Sequence, residues 1–390
     1  MLKKIDSYDG VCFFNGLIFY APVALLIRTQ AGVSNSTFFI LQAILSLAIF
    51  LGEIPTGLIT DKIGYKKSIV LSQTVILLAR IMLMLAFLHH SIWLFVMEAI
   101  IEGVGACFSS GTCEAYIYST YGEDMFAKKS AHSGNFGTAG FIISTITYVF
   151  IYKYWGMNGL FIATIISGIV AEICSIGLVE KKEVCMDSFN KDDVSAPDLR
   201  EIAYFFINRE TRSILILLSL FSLIWILINF FYVEKLILMG ISEEWISVII
   251  LSYSMIQMLA EPIISLNQKI SKNKAFSLFF VLAGIIVILL GIVDNKVISI
   301  CIMCITPLFV SVPEYLLMER ENKLIDDMDM NDNRAASLST LNMGVNIVEI
   351  ITLFLSSLFS IATIKWCFVV AGVLLLIFTA IVAKNSMWKY

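Results

Sequence analysis

The sequence predicts an all-α integral membrane protein with twelve transmembrane helices. Of its 390 residues, 58% are hydrophobic and only 15% are charged, whereas roughly 25% of the residues in an average soluble domain are charged. The apolar residues form long continuous runs that do not alternate with polar ones, which favours helices over strands. Because a bilayer also excludes open sheet edges, we expect every span to be a helix.

Twelve apolar runs are long enough to cross about 30 Å of hydrocarbon, which takes around 20 helical residues. The expected spans are 11–30, 37–60, 68–88, 91–119, 131–152, 157–179, 213–238, 244–267, 275–293, 297–319, 335–358 and 364–384. Lys3 and Lys4 precede the first run, but it has no small-x-small cleavage site. We therefore expect a retained first helix and not a signal peptide.

The longest polar stretch lies between the sixth and seventh spans and divides the chain into two halves. We expect an N-terminal six-helix bundle at 1–179, a cytoplasmic linker at 180–212 and a C-terminal six-helix bundle at 213–390. When the second half is laid over the first, Pro262 falls on Pro55 and Lys269 on Lys62. Such weak internal symmetry is typical of secondary transporters, whose substrate site lies between the repeats near the bilayer midplane.

Basic residues are concentrated in alternate loops. If both termini are cytoplasmic, most of the 27 Lys and Arg residues lie on that side, as the positive-inside rule requires. The many Ile and Lys residues are typical of AT-rich bacterial genomes. We therefore predict a multi-pass protein of the bacterial cytoplasmic (inner) membrane with both termini in the cytoplasm.

The composition also argues against several classes of function. The net charge of −4 indicates no nucleic-acid partner. The chain has only three histidines, and most of its eight cysteines lie in apolar runs, where a free thiol acts as a small hydrophobic group. We therefore expect no metal site, no catalytic residues, no cofactor and no enzyme activity.

The loop after the second span carries a recognisable motif. It reads Gly57-Leu-Ile-Thr-Asp61-Lys-Ile-Gly64-Tyr-Lys66-Lys67, and it resembles the loop-2–3 signature of the major facilitator superfamily, Gly-x-x-x-Asp-x-x-Gly-x-Arg/Lys-Arg/Lys. Length, helix count and the six-plus-six division agree along the whole chain. The resemblance implies two pseudo-symmetric six-helix bundles, the major facilitator fold. It also implies that the five numbered residues form a conformational gating motif, with Asp61 latching the two halves in the outward-open state.

Two further segments resemble bacterial drug/proton-antiporter-like members of the superfamily, Ser109–Tyr118 and Arg334–Ser339. Two antiporter signatures are incomplete. The fourth-helix stretch Ala99–Gly105 lacks the usual arginine, and the fifth-helix stretch Gly134–Gly140 lacks the usual proline.

Ionisable residues within the spans are the main functional candidates, because a charge in hydrocarbon is costly. Glu98 and Glu102 are four residues apart and share one face of the fourth span. Two neighbouring carboxylates repel each other, which suits proton uptake and release. Arg80 on the third span is their expected partner, and Glu349 on the eleventh span is a further proton-coupling candidate. A buried structural ion pair between the third and fourth spans is the alternative.

The resemblance further implies a substrate cavity lined by the first, fourth, seventh and tenth helices. Besides Glu102, the candidate lining residues are Asn15, Tyr20, Cys107, Trp225, Asn229, Tyr232 and Phe309. An aromatic lining suits an amphipathic or cationic organic substrate. Ordinary helix packing is the alternative for each of these residues.

These observations predict a secondary active transporter that moves a small organic, drug-like molecule across the membrane by alternating access. We expect proton-coupled efflux driven by the proton gradient, by a monomer in contact with membrane lipid. The alternatives are a nutrient or peptide uptake symporter and a lipid flippase.

Overall fold

The computed structural model describes residues 5–179, 207–241, 243–267, 272–356 and 361–384. Helices joined by short turns make up this part of the chain and no strand occurs in it, which confirms the all-α prediction. The helices belong to two compact units. Unit 1 comprises Met1–Ile202 and Ile325–Met343, and unit 2 comprises Ala203–Leu324 and Gly344–Tyr390.

The first half of the chain, which lies within unit 1, contains seven numbered helices. They are α1 (Ser7–Gly16), α2 (Ala24–Gln30), α3 (Asn35–Ile63), α4 (Tyr65–Leu88), α5 (Ile92–Ser109), α6 (Thr112–Tyr121) and α7 (Glu123–Ile176). The long α7 covers both the fifth and the sixth predicted spans. Its backbone leaves the helical conformation at Gly156, where φ is 61°, and this kink separates the two spans.

The second half continues the series. Its helices are α8 (Arg209–Ile226), α9 (Val233–Leu238), α10 (Glu243–Gln257), α11 (Ala260–Asn267), α12 (Lys272–Ile292), α13 (Lys296–Asp327), α14 (Arg334–Ser356) and α15 (Ile361–Lys384). A π-helical turn, Leu227–Tyr232, connects α8 to α9. The end of α13 and the beginning of α14, Ile325–Met343, belong to unit 1.

Seven helical stretches in the described part of the chain are long and apolar enough to cross a membrane. Several other predicted spans fall on interrupted helices, such as the first span on α1 and α2. Large apolar side chains, among them Phe150, Ile166 and Ile173, are more than half exposed. In water such an apolar surface would be an interaction site or would promote aggregation. The surface is therefore suited to contact with lipid.

Short polar residues and glycines define where several helices begin and end. The Asp6 carboxylate accepts a hydrogen bond from the Asp9 amide, and the Asp9 carboxylate accepts one from the Asp6 amide, so the pair forms a capping box at the start of α1. Ser34 caps α3 through the Thr37 amide. The same helix ends at Gly64, whose φ of 91° would strain any residue with a β-carbon.

Glycines allow close helix contacts in both units. A β-carbon on Gly16 or Gly140 would overlap backbone atoms of the other helix, so α1 and α7 touch along their main chains. Gly284 on α12 and Gly372 on α15 meet in the same way in unit 2. Small residues at helix interfaces are the usual means of close packing in a bilayer, where no hydrophobic effect drives helices together.

The predicted domain boundaries at 179 and 213 stay a prediction. Within the predicted linker, residues 180–206 lie outside the described part of the chain. The described part resumes at 207, and the Asn208 side chain then caps α8 by accepting a hydrogen bond from the Glu210 amide at 2.8 Å.

Candidate functional site

Unit 1 contains a half-open cavity of about 420 Å³ between α1, α4 and α5. Small-molecule sites usually measure roughly 300–1,000 Å³. The lining is mixed, with apolar, aromatic and charged side chains: Asn15, Ile18, Tyr20, Ile76, Ala79, Arg80, Glu98, Glu102, Ala106, Ser109 and Ser110. Five of the residues predicted for proton coupling or substrate binding, Asn15, Tyr20, Arg80, Glu98 and Glu102, therefore lie around one cavity.

Glu98 and Glu102 are one turn apart on α5, and both line this cavity. Glu98 is 2% exposed, and both of its oxygens accept hydrogen bonds from Nη2 of Arg28 at 3.3 and 3.4 Å. Arg80 was expected to be the partner of both glutamates, but for Glu98 the salt-bridge partner is Arg28.

Arg28 is the residue that sequence reasoning missed. It lies near the end of the first predicted span, 11–30, and was not among the candidate site residues, yet in the structure it is 6% exposed. Its guanidinium lies over the rings of Phe38 and Phe95, at 5.5 and 5.8 Å from their centroids. An arginine at the end of an apolar run gives no signal that distinguishes a loop position from a position folded back into the bundle.

Arg80 joins three helices instead of pairing with Glu98. Its guanidinium donates to Oδ1 of Asn15 on α1 and to the carbonyl of Thr164 on α7, each at 3.3 Å. Asn15 in turn donates to Oε1 of Gln73 at 2.8 Å. Gly168 leaves room for the arginine, because a β-carbon there would lie 2.8 Å from the guanidinium. A buried cation therefore sits in the cavity wall with neutral oxygen acceptors on two sides.

Two other predicted cavity residues of unit 1 have distinct surroundings. Tyr20 lines the cavity and packs its ring against Phe161, with the centroids 6.0 Å apart. Cys107 is 1% exposed and its thiol lies 3.1 Å from the Ile49 carbonyl on α3. The Cys107 side chain also fills the space beside Gly52, so it packs against α3 and is not among the residues that line the cavity.

The predicted site residues of unit 2 lie on α8, the π-helical turn, α13 and α14. Trp225 donates from its indole nitrogen to Oε2 of Glu314 at 3.0 Å, and Glu349 hydrogen-bonds with the Ser222 hydroxyl. Tyr232 is fully buried.

The Tyr232 hydroxyl donates to the Ser299 carbonyl at 3.0 Å. Phe309 is partly buried on α13. The side chain of Asn229 lies outside the described part of the structure.

The loop motif between α3 and α4 contacts the beginning of α14. The two carboxylate oxygens of Asp61 accept hydrogen bonds from the backbone amides of Ala335 and Ala336, both at 2.9 Å. Free amides at a helix N-terminus and the helix dipole favour such a negative charge. Gly57 lies against the same turn, because a β-carbon on it would be 2.7 Å from Cα of Ala336.

The other residues of the motif have simpler environments. Gly64 makes a turn with a positive φ of 91°. Lys66 is partly buried and Lys67 is exposed at the start of α4. A second set of contacts lies nearby in unit 1, where Arg334 pairs with Asp326.

The sequence and the fold were compared with known proteins. Residues 10–316 match the Major Facilitator Superfamily. No curated protein sequence matches the chain. Among solved structures, the fucose:proton symporter FucP of E. coli is similar with a TM-score of 0.76 and 11% identity over 98% of both chains. A structure of FucP in the outward conformation is similar with a TM-score of 0.77 and 12% identity over 98% of both chains.

A third similar structure is a bacterial homologue of the iron transporter ferroportin in an outward-facing state, with a TM-score of 0.72 and 13% identity over 97% of both chains. At these identities the structures show the fold, and they confirm the predicted twelve-helix fold of two six-helix bundles. The match to the family covers most of the sequence. The chain therefore belongs to the Major Facilitator Superfamily and is a multi-pass membrane transporter of small molecules, not an enzyme.

Proposed function

We propose that this chain is a proton-coupled exporter of small organic compounds that are cationic or amphipathic. The observation that carries the proposal is the pair of carboxylates, Glu98 and Glu102, one turn apart on α5 and both facing a cavity of ligand size. Carboxylates inside the membrane region are functional candidates by default, because their charge is costly there. Proton coupling is also compatible with this fold, since one similar structure is a fucose:proton symporter.

The same pair supports exchange of a proton for a cation. Two neighbouring carboxylates repel each other, so binding one positive charge is favourable and binding a second is less so. Arg28 already neutralises one side of Glu98. A proton and an organic cation would then compete for the remaining negative charge. Competition of this kind produces antiport, because loading with one ligand expels the other.

The cavity wall supports an amphipathic substrate. Tyr20 and Ile76 offer apolar and aromatic surface, while Asn15 and Ser109 offer polar atoms. Ligand sites in proteins combine a mostly apolar lining with a few placed polar groups. Drug-like organic molecules carry the same combination of surfaces.

The Asp61 contact supports a gating role for the loop motif. Its carboxylate holds two amides at the beginning of α14, and Gly57 allows the backbones to approach. We propose that these two hydrogen bonds break and re-form during each transport cycle. Rocking of the bundles at 1–179 and 213–390 would alternately expose the site, with both termini in the bacterial cytoplasm and the monomer as the working unit.

Proton flux in proteoliposomes tests the proposal. Liposomes containing the purified chain and an internal pH-sensitive dye are challenged from outside with a panel of organic cations. Antiport makes the lumen more alkaline as substrate enters, in either orientation of the protein. The Glu98→Gln and Glu102→Gln variants should lose this response.

Glu172→Gln is the matched control. Glu172 is also a glutamate on a membrane helix, but it accepts a hydrogen bond from Thr74 and does not line the cavity. Its response should equal that of the unaltered chain. Lumenal acidification would identify a symporter and overturn the export proposal, and a response that survives both cavity substitutions would remove Glu98 and Glu102 from proton coupling.

A further inference from the structure

Arg80 on α4 is a buried cation in the wall of the unit 1 cavity. It is 5% exposed, and its guanidinium donates to two neutral oxygens, Oδ1 of Asn15 and the carbonyl of Thr164. These bonds use two of the five N–H groups of a guanidinium. Within the described residues Arg80 takes part in no salt bridge. A buried charge is costly unless an opposite charge compensates it, so this arginine is suited to an anionic ligand.

The guanidinium is held in one orientation by its neighbours. Asn15 donates from Nδ2 to Oε1 of Gln73 at 2.8 Å, which turns its own Oδ1 towards Arg80. Gln73 is 4% exposed and lies two turns before Arg80 on the same side of α4. A group that is already oriented loses little conformational freedom when a ligand binds. The planar fork of an arginine also matches the two oxygens of a carboxylate.

Glu102 on α5 lies at a similar level of the same cavity. A short turn joins α4 to α5, so the two helices are antiparallel, and a β-carbon on Gly105 would lie 2.8 Å from the Ile76 side chain. Arg80 follows Ile76 by four residues and Glu102 precedes Gly105 by three, so both are displaced in the same direction. At 1.5 Å per residue the displacements are about 6 and 4.5 Å. Arg80 and Glu102 therefore lie at the same height to within about one turn.

The cavity thus presents two separate and opposite charges to a ligand. Glu98 is paired with Arg28, whereas Arg80 and Glu102 form no salt bridge with each other within the part of the chain that the structure describes. An organic cation alone would neutralise Glu102 and leave Arg80 without a counter-charge. We propose that the transported compound is a zwitterion, whose acidic group binds Arg80 and whose cationic group binds Glu102.

The zwitterion site narrows the substrate class of the proposed function. It rests on that function for the direction and the proton coupling of transport, but the binding step depends on neither. Tyr20, Ile18 and Ile76 add apolar surface to the same cavity, so the ligand is a small zwitterion with an apolar part. A simple organic cation would still bind through Glu102, with lower affinity.

Calorimetric titration of the purified chain in detergent tests the recognition. The probes are phenylalanine, tryptophan and leucine, each compared with phenethylamine, tryptamine or isoamylamine, the amine that keeps the cation and the apolar part but has no carboxylate. At least one zwitterion should bind about 10–100-fold more tightly than its amine, as expected for hydrogen bonds between charged groups. If no zwitterion in the panel binds more tightly than its amine, the proposal is overturned.

Two substitutions place the acidic group of the ligand. Arg80→Gln should abolish the preference for the zwitterion and retain binding of the amine. The matched control is Arg212→Gln, because Arg212 is exposed on α8, and it should keep the full preference. Retained preference in Arg80→Gln, or loss of both ligands together, would overturn the assignment to Arg80.

Asn15→Asp separates binding from a structural role and decides the question if Arg80→Gln does not fold. The new carboxylate would stand where Oδ1 now lies, 3.3 Å from the guanidinium, and would give Arg80 an internal counter-charge. The contact between α1 and α4 should become stronger in thermal unfolding, while the preference for the zwitterion disappears. A preference that persists in Asn15→Asp would show that Arg80 does not bind the acidic group.

The proteoliposome assay distinguishes this proposal from the proposed function. Zwitterions should drive a larger proton flux than the matching amines. Preferential binding of zwitterions without any proton flux would refute the proposed function and leave the binding site standing. Proton flux with the amines and no preference for zwitterions in binding would overturn the zwitterion site and leave the proposed function standing.

Discussion

Replacing Lys129 by methionine tests the charged cluster at the beginning of α1. The Lys129 ammonium is fully buried and lies 2.7 Å from Asp6 and 2.6 Å from Asp9, which is itself fully buried. Ser133 adds a hydrogen bond to Asp9 at 2.7 Å, and the Tyr121 ring lies 5.1 Å from the ammonium. The cluster therefore ties the first residues of α1 to α7.

The expected loss of stability in Lys129→Met follows from the burial of the ion pair. Removing one partner of a buried ion pair leaves an uncompensated charge and lowers the free energy of unfolding by about 3–5 kcal/mol. We expect Lys129→Met to lose that amount, and we expect the double variant with Asp9→Asn to recover most of it, because the double change removes the two fully buried charges and leaves only Asp6, whose side chain is 32% exposed. Thermal unfolding in detergent, followed by intrinsic fluorescence, measures the difference.

The pH dependence gives a second check. Burial acts to raise the pKa of Asp6, but hydrogen bonds from Lys129 and Tyr121 outweigh it and hold the pKa below 3.8. A lowered pKa means that Asp6 stabilises the fold above pH 3.8, and that this contribution is lost as the pH falls through the folded-state pKa. In Lys129→Met the pH dependence of stability reverses, because Asp6 has lost its cation and its protonation relieves the repulsion from Asp9. The loss of unfolding free energy relative to the unaltered chain should therefore be smaller at about pH 5 than at about pH 7.

Lys128→Met is the matched control for this series. Lys128 is the neighbouring lysine on α7 and is only partly buried, so its change should stay within about 0.5 kcal/mol. If Lys129→Met loses no more stability than Lys128→Met, the cluster does not hold α1, and the reasoning from burial is refuted.

Three further predictions concern the loop motif and the cavity. Gly57→Ala should destabilise the chain by about 1–3 kcal/mol, because the added methyl group meets Ala336 at 2.7 Å; thermal unfolding measures the loss. Asp61→Asn should weaken the contact with α14 by about 1.5–3 kcal/mol, seen as faster hydrogen exchange at the Ala336 amide, and unchanged exchange would exclude the contact. Arg28→Leu should lower stability by about 3–5 kcal/mol and Glu98→Gln should restore part of it in the double variant; additive losses would show that the two residues do not interact.

The carboxylates of the cavity were readable from the sequence, but their partners were not. Spacing alone places Glu98 and Glu102 on one helix face, and the length of the apolar run places them within the membrane. Arg80 was the expected partner of both glutamates, whereas the structure pairs Glu98 with Arg28. Periodicity reports which face of a helix a residue occupies, and it does not report which other helix that face meets.

For the remaining candidates, too, the sequence could predict some features and not others. The positive-φ turn at Gly64 follows from a glycine that ends an apolar run before a pair of lysines, and the structure contains it. The cysteine at 107 looked equally suitable for a cavity wall, but the approach of α3 buries it. The neutral partners of Glu314 were invisible in the sequence, because Trp225 is 89 residues away along the chain.

The sequence by itself determined that the chain is helical and spans a membrane, since these properties depend on composition, run length and local spacing. It also determined the family, through a motif whose residues lie close together in one short segment of the chain. Tertiary structure alone decided which charges pair, which polar residues face the cavity and what Asp61 holds. The physical reason is that a buried charge takes its partner from the helix packed against it, and helix packing depends on the complementarity of surfaces far apart in the chain.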